Sequence, residues 1–159
     1  MRVKRIEEWL PGCLKHWLVI MEAETVVILV FNTDNDKLRL FSGMIRGDAV
    51  VSEQMLPIEG VVPDLLHQGD LTKAIIAPAV SDFEKQYAKS DFACCLLCPR
   101  IDNGDGPCTY SDPIGVAYVF EKINGQQFCD GNLCDLEMLA INTATALKDH
   151  LDAHNLSLP

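Results

Sequence analysis

Apolar residues along the chain recur in blocks whose spacing alternates between helical and strand-like. Ile6, Trp9 and Leu10 fall on one side of a short helix within residues 1–10, and Pro11-Gly12 interrupts it. Pro11 is suited to open a second helix at its first position. Leu14, Leu18 and Met21, with Trp17 beside them, then form a stripe at helical spacing. Thr25 to Phe31 is β-branched and apolar nearly throughout, which predicts a central strand buried on both faces. Asn32 to Asp36 reads as a turn, and the alternation of Lys37 to Ser42 predicts the returning strand of a hairpin.

A third strand is predicted over Ala49 to Met55, after which Pro57 and Gly60 break the pattern. Val61 to Gln68 reads as a short helix stopped by Gly69, and Leu71 to Ala77 as an extended segment ending at Pro78. Ser81 caps a short helix through Tyr87, with Glu84 in capping-box spacing. Phe92 to Cys98 is a buried strand, Asp102 to Pro113 a turn-rich loop, and Ile114 to Lys122 the next strand, bounded by Asn124-Gly125. The longest helix runs from Leu133 to about Ala153, with Leu133, Leu136, Ala140, Ala144, Leu147 and Leu151 on one stripe. Hairpin-linked strands flanked by terminal helices imply an α+β fold with an antiparallel sheet. No repeat or long linker divides the chain, so residues 1–159 read as one domain with residues 1–10 as an N-terminal helical extension.

Composition narrows the function. The chain has 13 basic against 23 acidic residues, a formal net charge of -10, and no basic run beyond its first five positions. Nucleic-acid binders draw most of their affinity from Lys and Arg on phosphates, so that class is excluded. The longest apolar run, Val26 to Phe31, falls far short of the roughly 20 residues a membrane span needs. The basic start leads into Glu7-Glu8 and not into an apolar segment, so no secretory signal is read. Seven cysteines is an odd number, and Cys94, Cys95, Cys98 and Cys108 crowd together. Several lie in strand-like sequence, as buried reduced thiols do, and a cytoplasmic location is expected.

The block Gly115 to Gly125, with Phe128 and the long amphipathic helix after it, resembles the closing strand, turn and helix of a GAF domain. Its wording is closest to the regulatory GAF domains of cyclic-nucleotide phosphodiesterases, where a strand runs into a Lys-Ile-Asn-Gly turn. Leu56 to Val62, followed by Leu65 and Gly69, is similar to the family's glycine-bounded helix, and Cys94 to Pro99 to its apolar strand ending in Pro. The resemblance covers roughly Pro11 to Leu151. It implies a GAF-like (profilin/PAS-like) antiparallel sheet with terminal helices on one face and short helices on the other. The phosphodiesterase domains carry a split signature of Asn-Lys, Phe and Asp-Glu. Here Glu121-Lys122 replaces Asn-Lys, Phe128 fits, and Asn132-Leu133 stand at the Asp-Glu positions. The Lys–Asp ion pair of that signature cannot form in the same way, which weighs against a cyclic nucleotide.

GAF ligands lie between one sheet face and the short helices over it. By resemblance the lining comes from Phe41 and Ser42 at the second strand, Val61 and Val62 at a helix start, and Phe83 and Tyr87 in the lid. That mix offers aromatic walls, a hydroxyl, and helix-start N–H groups suited to an anion. Arg39, if it faced the same cavity, would favour a phosphate or carboxylate. A domain with no ligand would bury the same apolar residues as ordinary core.

Other chemistry is weaker. On a strand Cys94 and Cys98 share one face and Cys95 the other, unlike the turn-borne Cys-x-x-Cys of structural zinc sites. His150 and His154 stand one helical turn apart near a helix C-terminus, where they serve the dipole and solvent. In Asp102 to Gly106 the glycines occupy positions that calcium ligation needs for oxygen, so no metal is assigned. Stand-alone GAF proteins that reduce free methionine sulfoxide carry a lid cysteine, and Ser81 to Asp91 has none. Pigment-carrying GAF domains attach through a Cys-His pair, absent here. The expected function is a GAF-type sensory module that binds a small-molecule or nucleotide-like ligand, pairs as a homodimer through its terminal helices, or both. A free methionine-R-sulfoxide reductase and a ligand-free pairing module are the alternatives.

Overall fold

The computed structural model describes residues 6–32, 37–45, 48–50, 55–101 and 109–153, with residues 6–8, 32, 37–45, 48–50, 55 and 151–153 described by backbone alone. Its centre is an antiparallel sheet. The strands are β1 (Ala23–Asn32), β2 (Lys37–Ile45), β3 (Asp48–Val50), β4 (Met55–Pro57), β5 (Ile75–Ala77), β6 (Phe92–Leu97) and β9 (Gly115–Lys122). Their spatial order is β3-β2-β1-β9-β6-β5, with β4 also pairing β2. A separate two-stranded ribbon joins β7 (Arg100–Ile101) to β8 (Thr109–Tyr110). The most apolar run of the chain, β1, lies between β2 and β9, buried on both faces as its composition predicts.

Alternation sorts the side chains onto two layers. Val26, Ile28 and Val30 of β1, with Ala93, Cys95 and Leu97 of β6 and Ala117 and Val119 of β9, face the terminal helices. These are α1 (Ile6–Met21) and α4 (Asp130–Ala153), which lie on that face and against each other. Their contact includes a buried polar tie. Trp17 Nε1 donates to Thr143 Oγ1 at 3.0 Å, and Cys13 Sγ lies 3.4 Å from the same hydroxyl. Val27 and Leu29, with Cys94 and Leu96 and with Val116, Tyr118 and Phe120, face the opposite way, toward α2 (Val62–Leu66) and α3 (Asp82–Tyr87).

Two elements depart from the sequence pattern. The predicted break at Pro11 does not occur: α1 runs through it. Leu10 is as fully buried as Leu14, Trp17 and Met21, so one continuous stripe holds the helix together and outweighs the single backbone bond proline removes. The predicted strand over Ala49 to Met55 is instead the two short strands β3 and β4, which pair with opposite ends of β2. The predicted Asn32–Asp36 turn and most of the Asp102–Pro113 loop lie outside the described residues.

Between β1 and β2 the register slips: Ile28 pairs with Ser42 but Leu29 with Leu40, leaving Phe41 as an extra residue, a β-bulge. No helix among the described residues is long and apolar enough to cross a membrane.

Candidate functional site

The two short helices are fixed to each other by one side chain. Ser81 caps α3 by accepting from the Glu84 N–H at 3.1 Å, and Glu84 Oε1 accepts in return from the Ser81 N–H at 3.1 Å. This is the capping box read from the sequence. Glu84 then goes further. Oε1 also accepts from the Val80 N–H at 2.9 Å, and Oε2 reaches the Val61 N–H at 2.8 Å, at the start of α2. The side chain is fully buried. Gly60, at φ +70°, makes room for it: a β-carbon there would stand 2.1 Å from Glu84 Oε2.

The far end of α3 is held by a second carboxylate. Glu121, itself at φ +55° as β9 ends, accepts from the Lys89 and Ser90 N–H groups. Glu121 thereby anchors the segment that follows the lid helix.

Between this lid and the sheet lies a cleft of about 290 Å³. Leu29, Leu56, Pro57 and Phe83 form its apolar walls. Glu59, Ser81, Asp82 and Gln86 supply polar groups, with Glu59, Asp82 and Gln86 exposed at the surface. Tyr118 of β9 also lines the cleft, only 2% exposed, and its hydroxyl has no hydrogen-bond partner among the described residues. Burial pushes the phenol well above the ordinary tyrosine range, and the negative charges of Glu84 and Glu59 add to the shift, as does the Cys94 thiol. Tyr118 is therefore a neutral hydroxyl. Its ring is gripped edge-on by Phe83 at 5.3 Å and stacks on Phe120 at 5.6 Å.

The residues expected from the sequence distribute unevenly. Phe83 lines the cleft. Tyr87 sits behind it, edge-on to Phe83 at 5.2 Å and stacked on Phe120 at 5.5 Å. Val61 and Val62 are buried with Leu65 in the core beneath the lid and do not line the hollow. Ser42 stands in register with Ile28, a residue of the helix-covered face, and Phe41 is the bulge; both are described by backbone only. Arg39 likewise stands opposite Val30, in the register of the helix-covered face. At the helix start expected to hold an anion, part of the N–H set is already engaged. The Val61 N–H is taken by Glu84, and Pro63 has none to offer.

Sequence reasoning missed Tyr118, Glu59, Asp82 and Gln86. Tyr118 was within reach, because Val116, Tyr118 and Phe120 share one face by alternation. The others stand on segments whose approach only the folded chain defines.

The cysteines of β6 face as alternation predicts. Cys94 is buried with Leu96 and Cys98 toward the lid layer, and Cys95 is buried toward the terminal helices. Burial raises all three thiols, Cys98 to about 11, with the Asp70 and Asp112 charges adding to it. Such thiols stay protonated, unlike the low-pKa thiolates of catalysis. Among the described residues no cluster of three His, Cys, Asp or Glu side chains could hold a metal ion.

No protein-family model matches the sequence. No curated protein matches it either. Solved structures do. A red/green cyanobacteriochrome in its red-light-absorbing state superposes with a TM-score of 0.67 at 8% identity, covering 96% of this chain and 99% of that one. The GAF domain of a two-component sensor histidine kinase from Bacillus halodurans gives 0.63 at 13% identity, covering 96% and 99%. The second GAF domain of DevS from Mycobacterium smegmatis gives 0.61 at 11% identity, covering 92% and 96%. This chain has the GAF fold. In GAF terms α1 and α4 are the terminal-helix layer, and α2 and α3 roof the cleft on the opposite face of the sheet.

Proposed function

We propose that this chain is a sensory GAF module that takes a small organic molecule into the cleft under α3. The observation that carries the reading is Tyr118, a side chain only 2% exposed that lines the hollow and makes no hydrogen bond through its hydroxyl among the described residues. A hydroxyl with no protein partner at the wall of a cavity is open to a ligand or water. Sensor-kinase and photoreceptor structures of the same fold support a signalling role. Native mass spectrometry of protein purified from its own host tests the idea, with a retained small molecule expected. A ligand-free spectrum, together with no thermal shift from any member of a fragment library, overturns it.

A cyclic nucleotide is not the occupant we favour. Its phosphate would meet Glu59 and Asp82 without a cationic partner among the described lining residues. Calorimetry with cAMP and cGMP is expected to give no heat.

A second reading is pairing of two copies through α1 and α4, favoured by Val19 and Met138, which stand 73% and 66% exposed on those helices. Light scattering across a concentration series reads it directly: a monomer throughout would end it.

A further inference from the structure

We infer that the cleft selects an organic cation: a compact molecule carrying a protonated amine on an apolar or aromatic body. This rests on the reading of the cleft as a ligand site and adds the class of ligand it takes. Two carboxylates, Glu59 and Asp82, line the cleft, and no Lys, Arg or His does so among the described residues. The Glu84 carboxyl is buried under the same lid, and its three hydrogen bonds are all from backbone N–H groups, with no side-chain cation against it among the described residues.

One of the N–H groups at the start of α2 that an anion would use, that of Val61, is already taken by that side chain. What remains is a funnel of negative potential above an apolar slot, and the chain's net charge of -10 extends the same sign outward.

The rest of the lining suits the body of such a molecule. Phe83 and Tyr118 present aromatic surface, and Leu29, Leu56 and Pro57 complete an apolar wall. Tyr118, held neutral, offers a lone pair to an ammonium N–H or its ring face to the charge. The volume of about 290 Å³ stands at the small end of ligand pockets, which fits one ring with a short amine arm.

Three near-isosteric probes separate the charge classes: 2-phenylethylammonium, 3-phenylpropionate and neutral 3-phenylpropanol, each titrated into the full chain and followed by protein NMR. The ammonium is expected to bind most tightly, shifting the amides of Phe83, Gln86 and Tyr118. Glu59→Gln and Asp82→Asn, both exposed changes that leave the core intact, are each expected to weaken it about fivefold, the scale of a half-exposed charge pair. The same two variants should weaken the alcohol less than they weaken the ammonium. If 3-phenylpropionate binds as well as or better than the ammonium, the inference on charge is wrong while the ligand-site reading stands. Ammonium binding that ignores both substitutions overturns it as well. If none of the three probes, nor any library fragment, moves those amides, the ligand site itself is refuted.

Discussion

Gly60 and Glu84 occupy each other's space: the carboxylate Oε2 lies 2.1 Å from where a β-carbon of residue 60 would be. Gly60→Ala therefore meets two obstacles, the positive φ and the displaced carboxylate with its bond to Val61. We expect a loss of about 2–4 kcal/mol in urea unfolding. Gly69→Ala, where nothing lies within 4 Å, is the control and should cost little.

Glu84→Gln keeps the shape and changes the donors. An amide has one acceptor oxygen, so its NH2 must face either Val61 or the Val80–Ser81 pair. A loss of about 1–3 kcal/mol is expected. Hydrogen exchange should quicken at Val61, Val80 and Ser81 more than in β1. Unchanged exchange there would show that the carboxylate does not join the two helices.

Thr143→Val removes the acceptor of the Trp17 indole N–H while preserving volume. The buried N–H is left unpaired, and about 1–2 kcal/mol of stability should go with it. A spectral shift in tryptophan fluorescence of the folded protein would accompany the loss.

Gly115→Ala tests the close approach of β9 to β1. A β-carbon there would sit 2.2 Å from the Leu29 carbonyl oxygen, and backbone cannot step aside as a flexible side chain can. Separation of β1 from β9 should cost about 3 kcal/mol or more, or prevent folding. A variant as stable as the parent would contradict the pairing.

Thiol labelling reads the cysteine layer. Cys129 and Cys134, both exposed, should alkylate in the native protein at pH 8, whereas Cys94, Cys95 and Cys98 should wait for unfolding. Raised thiol pKa values carry a definite sign. The folded state holds the Cys98 proton up to about 11 against 9.0 for the free thiol, so its contribution is whole below pH 9. It is lost as pH climbs toward 11. Alkaline unfolding in that window is expected, in the same direction as the raised Tyr118 phenol.

The sequence carried the fold better than the site. The continuous apolar runs Thr25–Phe31 and Phe92–Cys98 marked two buried strands, and alternation gave the facing of Cys94, Cys95 and Cys98, because both are local properties. The capping box at Ser81 and Glu84 was equally legible, being three residues long. The further reach of Glu84 to Val61 was not, since it joins residues 23 apart in the chain. For the same reason the engagement of the Val61 N–H at that helix start was not visible in the sequence. Pro11 misled for a different cause: local propensity forbids what the burial of Leu10 enforces.

One pleat of β9 is all that parts the hollow from the helix layer. Tyr118 touches whatever fills the cleft, while its neighbours Ala117 and Val119 rest in the core shared with α1 and α4. A strand is a single backbone with two sides, so it cannot shift on one without shifting on the other. On the proposed reading, news of an occupant would need no hinge or long relay to arrive at the terminal helices, which lie one residue away.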